Sequence, residues 1–271
     1  MSTARELNID IGGTNYQIES DDNYLDHIKN GFEPESVRLF RSLASGSEVI
    51  LDIGANIGCT AILFGGLAKT VHSFEPSAST FAFLQKNVSR AGLKHVVPHN
   101  FGLGAEPGEF TLSFSAANRS GGFVSNQVQA SAGHKVETIT IRTLDEVAAS
   151  LKLPRVDFIK IDVEGFEGHV LKGGKQTLAK FRPVVCAELN HWCLNAFQRT
   201  SVPDFLDQLR AIFPILVAVD GAGYMNLHDP NDSYIVMYHH ILNMRFLNVV
   251  GAFDENRLAA FRSAYRHGFT P

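Results

Sequence analysis

Short apolar runs alternate with segments of helical period over the middle of the chain. Residues 49–51 (Val-Ile-Leu) are apolar and lead into Asp52, Gly54 and Gly58; Thr60-Ala61-Ile62-Leu63-Phe64 then resumes in a helix-compatible pattern. This order predicts a buried strand, a tight turn and a helix. Residues 71–76 predict a second strand, and Phe81, Leu84 and Val88 recur at helical spacing across 77–90, with Ser77 or Ser79 as cap. A short third strand at 96–99 follows, then a fourth at 156–162 with a helix continuing towards Leu178, and a fifth at 183–188. Beyond these, 203–213 predicts a helix, 215–219 strand six, 233–238 strand seven and 254–265 a further helix. Strands that alternate with helices in this way predict an α/β fold around a parallel sheet.

Two stretches depart from that rhythm. Before it, 7–11 and 16–18 alternate apolar and polar residues around Gly12-Gly13-Thr14-Asn15, which predicts a β-hairpin. Helical pieces at 24–30 and 35–43 follow, with Pro34 suited to a first turn. This extension, residues 1–48, reads as a cap on a sheet edge, with closure over a ligand as the alternative. Residues 49–271 read as one larger domain, the whole forming a single globular unit. Within it, 109–114 and 137–141 predict strands, and 116–135 is rich in Ser, Gly, Asn and Gln. A polar connection of that length predicts a lid on the substrate side.

The 271 residues are 45% hydrophobic, enough for a sizeable core, and carry a formal net charge of -4. No long basic run offers itself to a nucleic-acid backbone. No apolar stretch approaches the roughly 18 residues that would span a bilayer. Met1 to Glu6 lack the apolar core of a secretory signal. Cys59, Cys186 and Cys193 have no metal-finger spacing and read as reduced thiols of a cytoplasmic enzyme. The oligomeric state stays open, with a dimer among the alternatives.

The chemistry is written at the carboxyl ends of the strands, where open parallel sheets bind ligands. The first turn reads D-x-G-x-N-x-G over Asp52, Gly54, Asn56 and Gly58. A dinucleotide fingerprint would present bare backbone N–H groups to a pyrophosphate, whereas a carboxylate at Asp52 would repel one. A ligand with a cationic end suits this turn better, and S-adenosylmethionine carries a sulfonium, an ammonium and a ribose. Glu75 follows Asp52 by 23 residues, close to the roughly 20-residue spacing at which an acid reaches ribose hydroxyls. Asn100, at the tip of the third strand, is the candidate for an adenine contact. Asp52, Glu75, Asp162 and Glu188 thus all lie at strand ends, more acid than solubility needs at one edge of a sheet.

Together, Asp52-Ile53-Gly54-Ala55-Asn56-Ile57-Gly58, Phe74-Glu75-Pro76, the turn at 100–104, Ile161-Asp162-Val163-Glu164-Gly165-Phe166-Glu167 and Leu171-Lys172-Gly173-Gly174 resemble the FkbM family of S-adenosylmethionine-dependent methyltransferases. The resemblance implies a Rossmann-like class I methyltransferase fold, a seven-stranded, mostly parallel sheet with a reversed last strand. It implies O-methylation of a sugar, glycan, lipid-linked saccharide or natural product, with N-methylation of a peptide amide as an alternative. The acceptor hydroxyl needs a base, for which His191, Asp162 and Glu164 are the candidates. Glu167, His169 and Lys172 read as helix surface. Asp162, Glu188 and Asn190 offer oxygen ligands, leaving Mg²⁺ as an alternative aid. An NAD-dependent oxidoreductase and a non-catalytic binding module remain as readings from other classes.

Overall fold

The computed structural model describes residues 4–125 and 133–270. An antiparallel hairpin opens it, β1 (Arg5–Ile11) and β2 (Thr14–Ser20), followed by α1 (Tyr24–Ile28) and α2 (Pro34–Ala44). Pro34 lies in the first turn of α2, as its fixed φ and missing N–H favour. The alternation then runs β3 (Ser47–Ile53), α3 (Cys59–Gly65), β4 (Ala68–Phe74), α4 (Ala78–Arg90) and β5 (Val96–His99). Ser77 caps α4, its hydroxyl accepting from the Thr80 N–H. An insert of β6 (Gly102–Leu103), β7 (Gly108–Ser115), β8 (Asn118–Val124) and β9 (His134–Arg142) builds a separate sheet in the order β6-β9-β7-β8. The main series resumes with α5 (Leu144–Ser150), β10 (Phe158–Ile161), α6 (Glu167–Lys172), α7 (Lys175–Phe181) and β11 (Val184–Glu188). It continues through α8 (His191–Gln198), α9 (Val202–Ile212), β12 (Ile215–Asp220) and β13 (Gly223–Asn226). It ends with α10 (Pro230–Asn243), β14 (Asn248–Ala252), α11 (Ala259–Ala264) and β15 (Arg266–His267).

The central sheet has nine strands in the order β15-β13-β12-β14-β11-β10-β3-β4-β5. From β5 to β12 it is the expected mostly parallel sheet with one reversed strand, β14, antiparallel to both neighbours. The two short strands β13 and β15 extend it at one edge, beyond the seven that were expected. Separate apolar cores cover its two faces. One joins the hairpin, α2, α3 and α4 to residues such as Ile50 and Phe158; the other joins α5, α6, α7 and α9 to residues such as Leu51 and Ile159. Adjacent strand residues thus feed opposite cores, as a two-residue repeat requires.

Three expectations are corrected. Residues 233–238 are not strand seven but lie inside α10. Asp229 caps that helix and Pro230 starts it, burying Ser233, Val236 and His240 on one face and leaving Tyr234 and Tyr238 exposed. The reversed strand is β14, whose Gly251 leaves room for the Phe213 ring, 2.5 Å from where a Cβ would stand. The helix after the fourth strand breaks at Gly173-Gly174, because Gly173 packs against backbone: a Cβ there would meet Gly104 O at 2.0 Å. The polar stretch 116–135 is not all loop, since β8 pairs with β7, while 126–132 lie outside the described residues. The N-terminal hairpin forms its own two-stranded sheet. Asn87 of α4 docks it, accepting from Glu19 N at 2.9 Å and donating to Glu19 O at 3.0 Å and Ile57 O at 2.9 Å.

Candidate active site

A cavity of about 410 Å³ opens at the carboxyl ends of β3, β4, β10 and β11. Its floor is the turn after β3. Gly54 at φ 80° lies against β10: a Cβ there would stand 1.8 Å from Asp162 O. Gly58, at φ 102°, lets α3 start close to Leu84 of α4 but does not line the cavity. Asn56 lines it at φ 48°, and its Oδ1 is shielded from water without a hydrogen-bond donor.

Glu75 follows β4 directly. Its carboxylate accepts from Asn56 N at 3.1 Å through one oxygen and from Ser77 N at 2.9 Å through the other. Those two bonds fix the acid against the turn and leave further lone pairs towards the cavity. Burial pushes its pKa up to about 7, against the two backbone donors that favour the ion. Asn100 supports the same turn from outside. Its amide donates to Glu75 O at 3.0 Å and Pro76 O at 3.2 Å, and the side chain is not among the lining residues.

Asp52, expected to face the ligand, is fully buried beneath the turn. Strand alternation sends Ile53 to the cavity and Asp52 to Thr60, whose hydroxyl donates to it at 2.9 Å. The buried Lys160 ammonium stands between Asp52, at 3.7 Å, and Asp162, at 3.2 Å, and donates to Gly54 O at 2.7 Å. Burial opposes its charge, but the two carboxylates outweigh that and hold its pKa above the ordinary lysine value. The acidic wall of the cavity is therefore made by Glu33, Glu75, Asp162, Glu164 and Glu188.

The turn after β10 explains the D-V-E-G-F-E spacing. Glu167 is 1% exposed, not on a helix surface. One of its oxygens accepts from Val163 N at 3.0 Å and from Gly165 N at 3.2 Å, so this acid clamps the turn. Glu164, at φ 53°, is thereby turned into the cavity wall, where its Oε2 accepts from the Cys193 thiol at 3.0 Å. Burial, then the nearby charge of Asp162, lifts the Glu164 pKa to about 7. Glu188, at the end of β11, is likewise pushed well above the usual carboxylate range by burial and then by Asp162 and Glu164. Its Oε2 is shielded and has no donor.

The sequence pattern described as the methyltransferase FkbM domain matches residues 52–224. The chain belongs to the FkbM methyltransferase family. Hexuronic acid methyltransferase AglP of Haloferax volcanii is 33% identical over 158 residues, 56% of this chain and 61% of the relative. Methyltransferase 1 of Beauveria bassiana is 28% identical over 142 residues, 46% of this chain and 57% of the relative. The matched part thus spans less than two thirds of either curated relative. A crystal structure of an FkbM methyltransferase from Methylobacillus flagellatus KT aligns with a TM-score of 0.48 and 18% identity, over 76% of this chain and 44% of that one.

In this FkbM-family chain the N-terminal extension, which precedes the matched residues, and the insert within them together roof the cavity. Tyr24, Phe32, Glu33, Ser36 and Phe40 bring the N-terminal extension into the wall, so it closes over the site. From the insert, Arg119 is 7% exposed; its guanidinium donates to both Asp21 oxygens, at 2.7 and 2.8 Å, and to Ser79 at 2.6 Å. At the other end of β8, Phe123 stacks on Phe197 of α8 with centroids 3.9 Å apart, and Gln198 donates to Val124 O at 2.6 Å. The roof strand is therefore tied on both sides of the cavity.

His191 is not among the lining residues. As the first residue of α8 it is drawn to α10: its N–H donates to His240 Nε2 at 3.1 Å, and its ring meets His240 edge-on at 5.0 Å. The oxygen set named for a metal does not fit one. Asn190 Oδ1 caps α8 by accepting from Cys193 N at 3.2 Å, and Asp162 is already held by Lys160. Among the described residues no group of three or more His, Cys, Asp or Glu is arranged to hold a metal ion. Glu33, Lys160 and Cys193 are site residues that the sequence did not single out.

The buried acids give a pH prediction. Glu75, Glu164 and Glu167 have folded pKa values of about 7 against an ordinary 4.5. Each holds its proton better folded than unfolded, so its contribution to stability falls as pH rises from 4.5 through 7. Buried His99, lowered from 6.5 to about 4, has the opposite sign below 6.5. The net fall should therefore show from pH 6.5 to 8, on the order of 2 kcal/mol for the ligand-free protein. Thermal melts across that range check it; a melting point that rises would contradict the buried-acid wall.

Proposed function

We propose that this chain is an S-adenosylmethionine-dependent methyltransferase that methylates a hydroxyl of a saccharide or related natural product. The observation that carries the reading is the single cavity that joins Glu75, Gly54, Asp162, Glu164 and Glu188 along four neighbouring strand ends. The methyl donor fits these residues: the wall is lined by carboxyl groups, Gly54 brings backbone close, and Asn56 Oδ1 and Glu188 Oε2 lack donors. When bound, the donor supplies an electrophilic methyl group on a sulfonium that is already a good leaving group.

The chain's own residues divide the work by strand. Glu75, at the β4 end, is placed to accept from ribose hydroxyls. The Gly54–Asn56 turn carries the middle of the donor. Glu164 and Glu188, at the β10 and β11 ends, face the acceptor. Glu164 is the base: it lines the cavity, and its pKa of about 7 lets it take a proton near neutral pH. His191, turned to His240, leaves that role to Glu164. The roof and extension exclude water and align the acceptor, where orientation supplies much of the acceleration. The name of the Haloferax volcanii relative favours a sugar acid or its glycan as acceptor.

Calorimetry with S-adenosylhomocysteine and NADH tests the donor. Incubation with methyl-labelled donor and uronic acid-containing saccharides, read by mass spectrometry, tests the acceptor. Tight NADH binding with no heat from S-adenosylhomocysteine would remove the reading. Donor binding without labelled product from any saccharide would move the acceptor to another class.

A further inference from the structure

The acids at the strand ends come from the family's own motifs, but Glu33 comes from the N-terminal extension. It precedes Pro34 with φ 29° and ψ 75°, a conformation that is costly for a residue with a side chain. The contacts that hold it there are specific. Phe40 of the same helix packs edge-on against Phe64 at 5.2 Å and Phe158 at 6.1 Å, anchoring α2 to α3 and β10. Ser36 Oγ donates to Glu33 Oε2 at 2.9 Å, which fixes the carboxylate. The residue stays exposed within the cavity wall and feels the charges of Asp162 and Lys160.

Strand order says which part of a donor lies there. Glu75 sits at the end of β4, Gly54 at the end of β3 and Asp162 at the end of β10, in adjacent strands. With ribose at Glu75, the amino-acid tail crosses Gly54 towards β10. Lys160 is the buried cation on that side, and Asp52 and Asp162 already flank it. Among the described residues Glu33 therefore adds a carboxylate with no ion pair of its own, and the cation acting on it is that shared lysine. Asn56 Oδ1, shielded and without a donor in the same wall, independently marks a surface that a ligand's N–H or O–H completes.

We propose that Glu33 receives the α-ammonium of the methyl donor, making the N-terminal extension part of the donor site. The inference rests on the reading of the cavity as a donor site. Binding is measured by calorimetry on the full chain, comparing S-adenosylhomocysteine with 5′-methylthioadenosine, which keeps adenosine and sulfur but lacks the amino-acid tail. Glu33→Gln should weaken S-adenosylhomocysteine by at least about tenfold, the loss of a charge-assisted bond. It should leave 5′-methylthioadenosine within about twofold. Ser36→Ala, which frees the carboxylate without removing it, should show the same selectivity with a smaller loss; it serves as the readout should Glu33→Gln not fold. Equal weakening of both ligands, or no change in either, overturns the proposal while donor binding by the native chain stands. A native chain that binds neither ligand overturns the donor site and this inference with it.

Discussion

Glu164→Gln is expected to lower the rate of methyl transfer by about 10²–10⁴-fold, the range that general bases supply. Affinity for S-adenosylhomocysteine should change by no more than a few fold. Glutamine keeps the shape and can still accept from the Cys193 thiol, which now bonds Glu164 Oε2 at 3.0 Å. What it loses is the ability to take a proton. The native rate should rise with pH and level off above about 7, following the carboxyl that burial and then Asp162 have raised to that value. The variant's residual rate should lack that inflection. His191→Ala supplies the contrast: its ring packs on His240 outside the cavity wall, so it should retain most of the native rate. Single-turnover rates over pH 6–9 for the three proteins decide the matter. A histidine variant that is dead beside a glutamine variant that is nearly native would return the base to His191.

The difference between those two residues shows what the sequence could and could not carry. The ends of β3, β4, β10 and β11 were legible because buried parallel strands are short apolar runs that stop at a glycine or an acid. Which acid faces the ligand was not readable, because it depends on packing beneath the turn: Ile53 lines the cavity, whereas Asp52 is buried against Thr60 and Lys160. His191 follows β11 in sequence, but α8 begins at that residue and its packing on α10 decides where the ring goes. No local pattern encodes a contact between residues 191 and 240. Glu33 escaped for the same reason, as its placement depends on Phe40 meeting Phe64 and Phe158. Residues 233–238 are β-branched and aromatic enough to resemble a strand, yet Asp229-Pro230 upstream is a helix start. Punctuation outweighed composition there, and tertiary burial of Ser233, Val236 and His240 completed the choice.

Gly54→Ala should be the most damaging small substitution in the molecule. Two separate effects meet at that position. At φ 80° an alanine is strained by about 1 kcal/mol. Its Cβ would also stand 1.8 Å from Asp162 O, a backbone atom that no rotamer change can move. Relief requires the end of β10 to retreat, at a cost of roughly 1–3 kcal/mol or more for overpacking. The sum, roughly 2–4 kcal/mol, should lower the melting temperature by about 10 °C in a domain of this size. Gly13→Ala separates the two effects, because Gly13 has φ 85° and nothing within 4 Å of its hypothetical Cβ. It should lose only the conformational part, about 1 kcal/mol. The functional consequence follows from what the displaced strand end carries. Asp162 holds Lys160, which in turn donates to Gly54 O, so retreat of β10 pulls apart the floor of the cavity and the turn that bears Glu164. Gly54→Ala should therefore lose donor affinity below its melting point, whereas Gly13→Ala should bind like the native chain. Melting curves and calorimetric titrations of both variants check this; equal melting losses would show that close approach to β10 is not what the glycine is for.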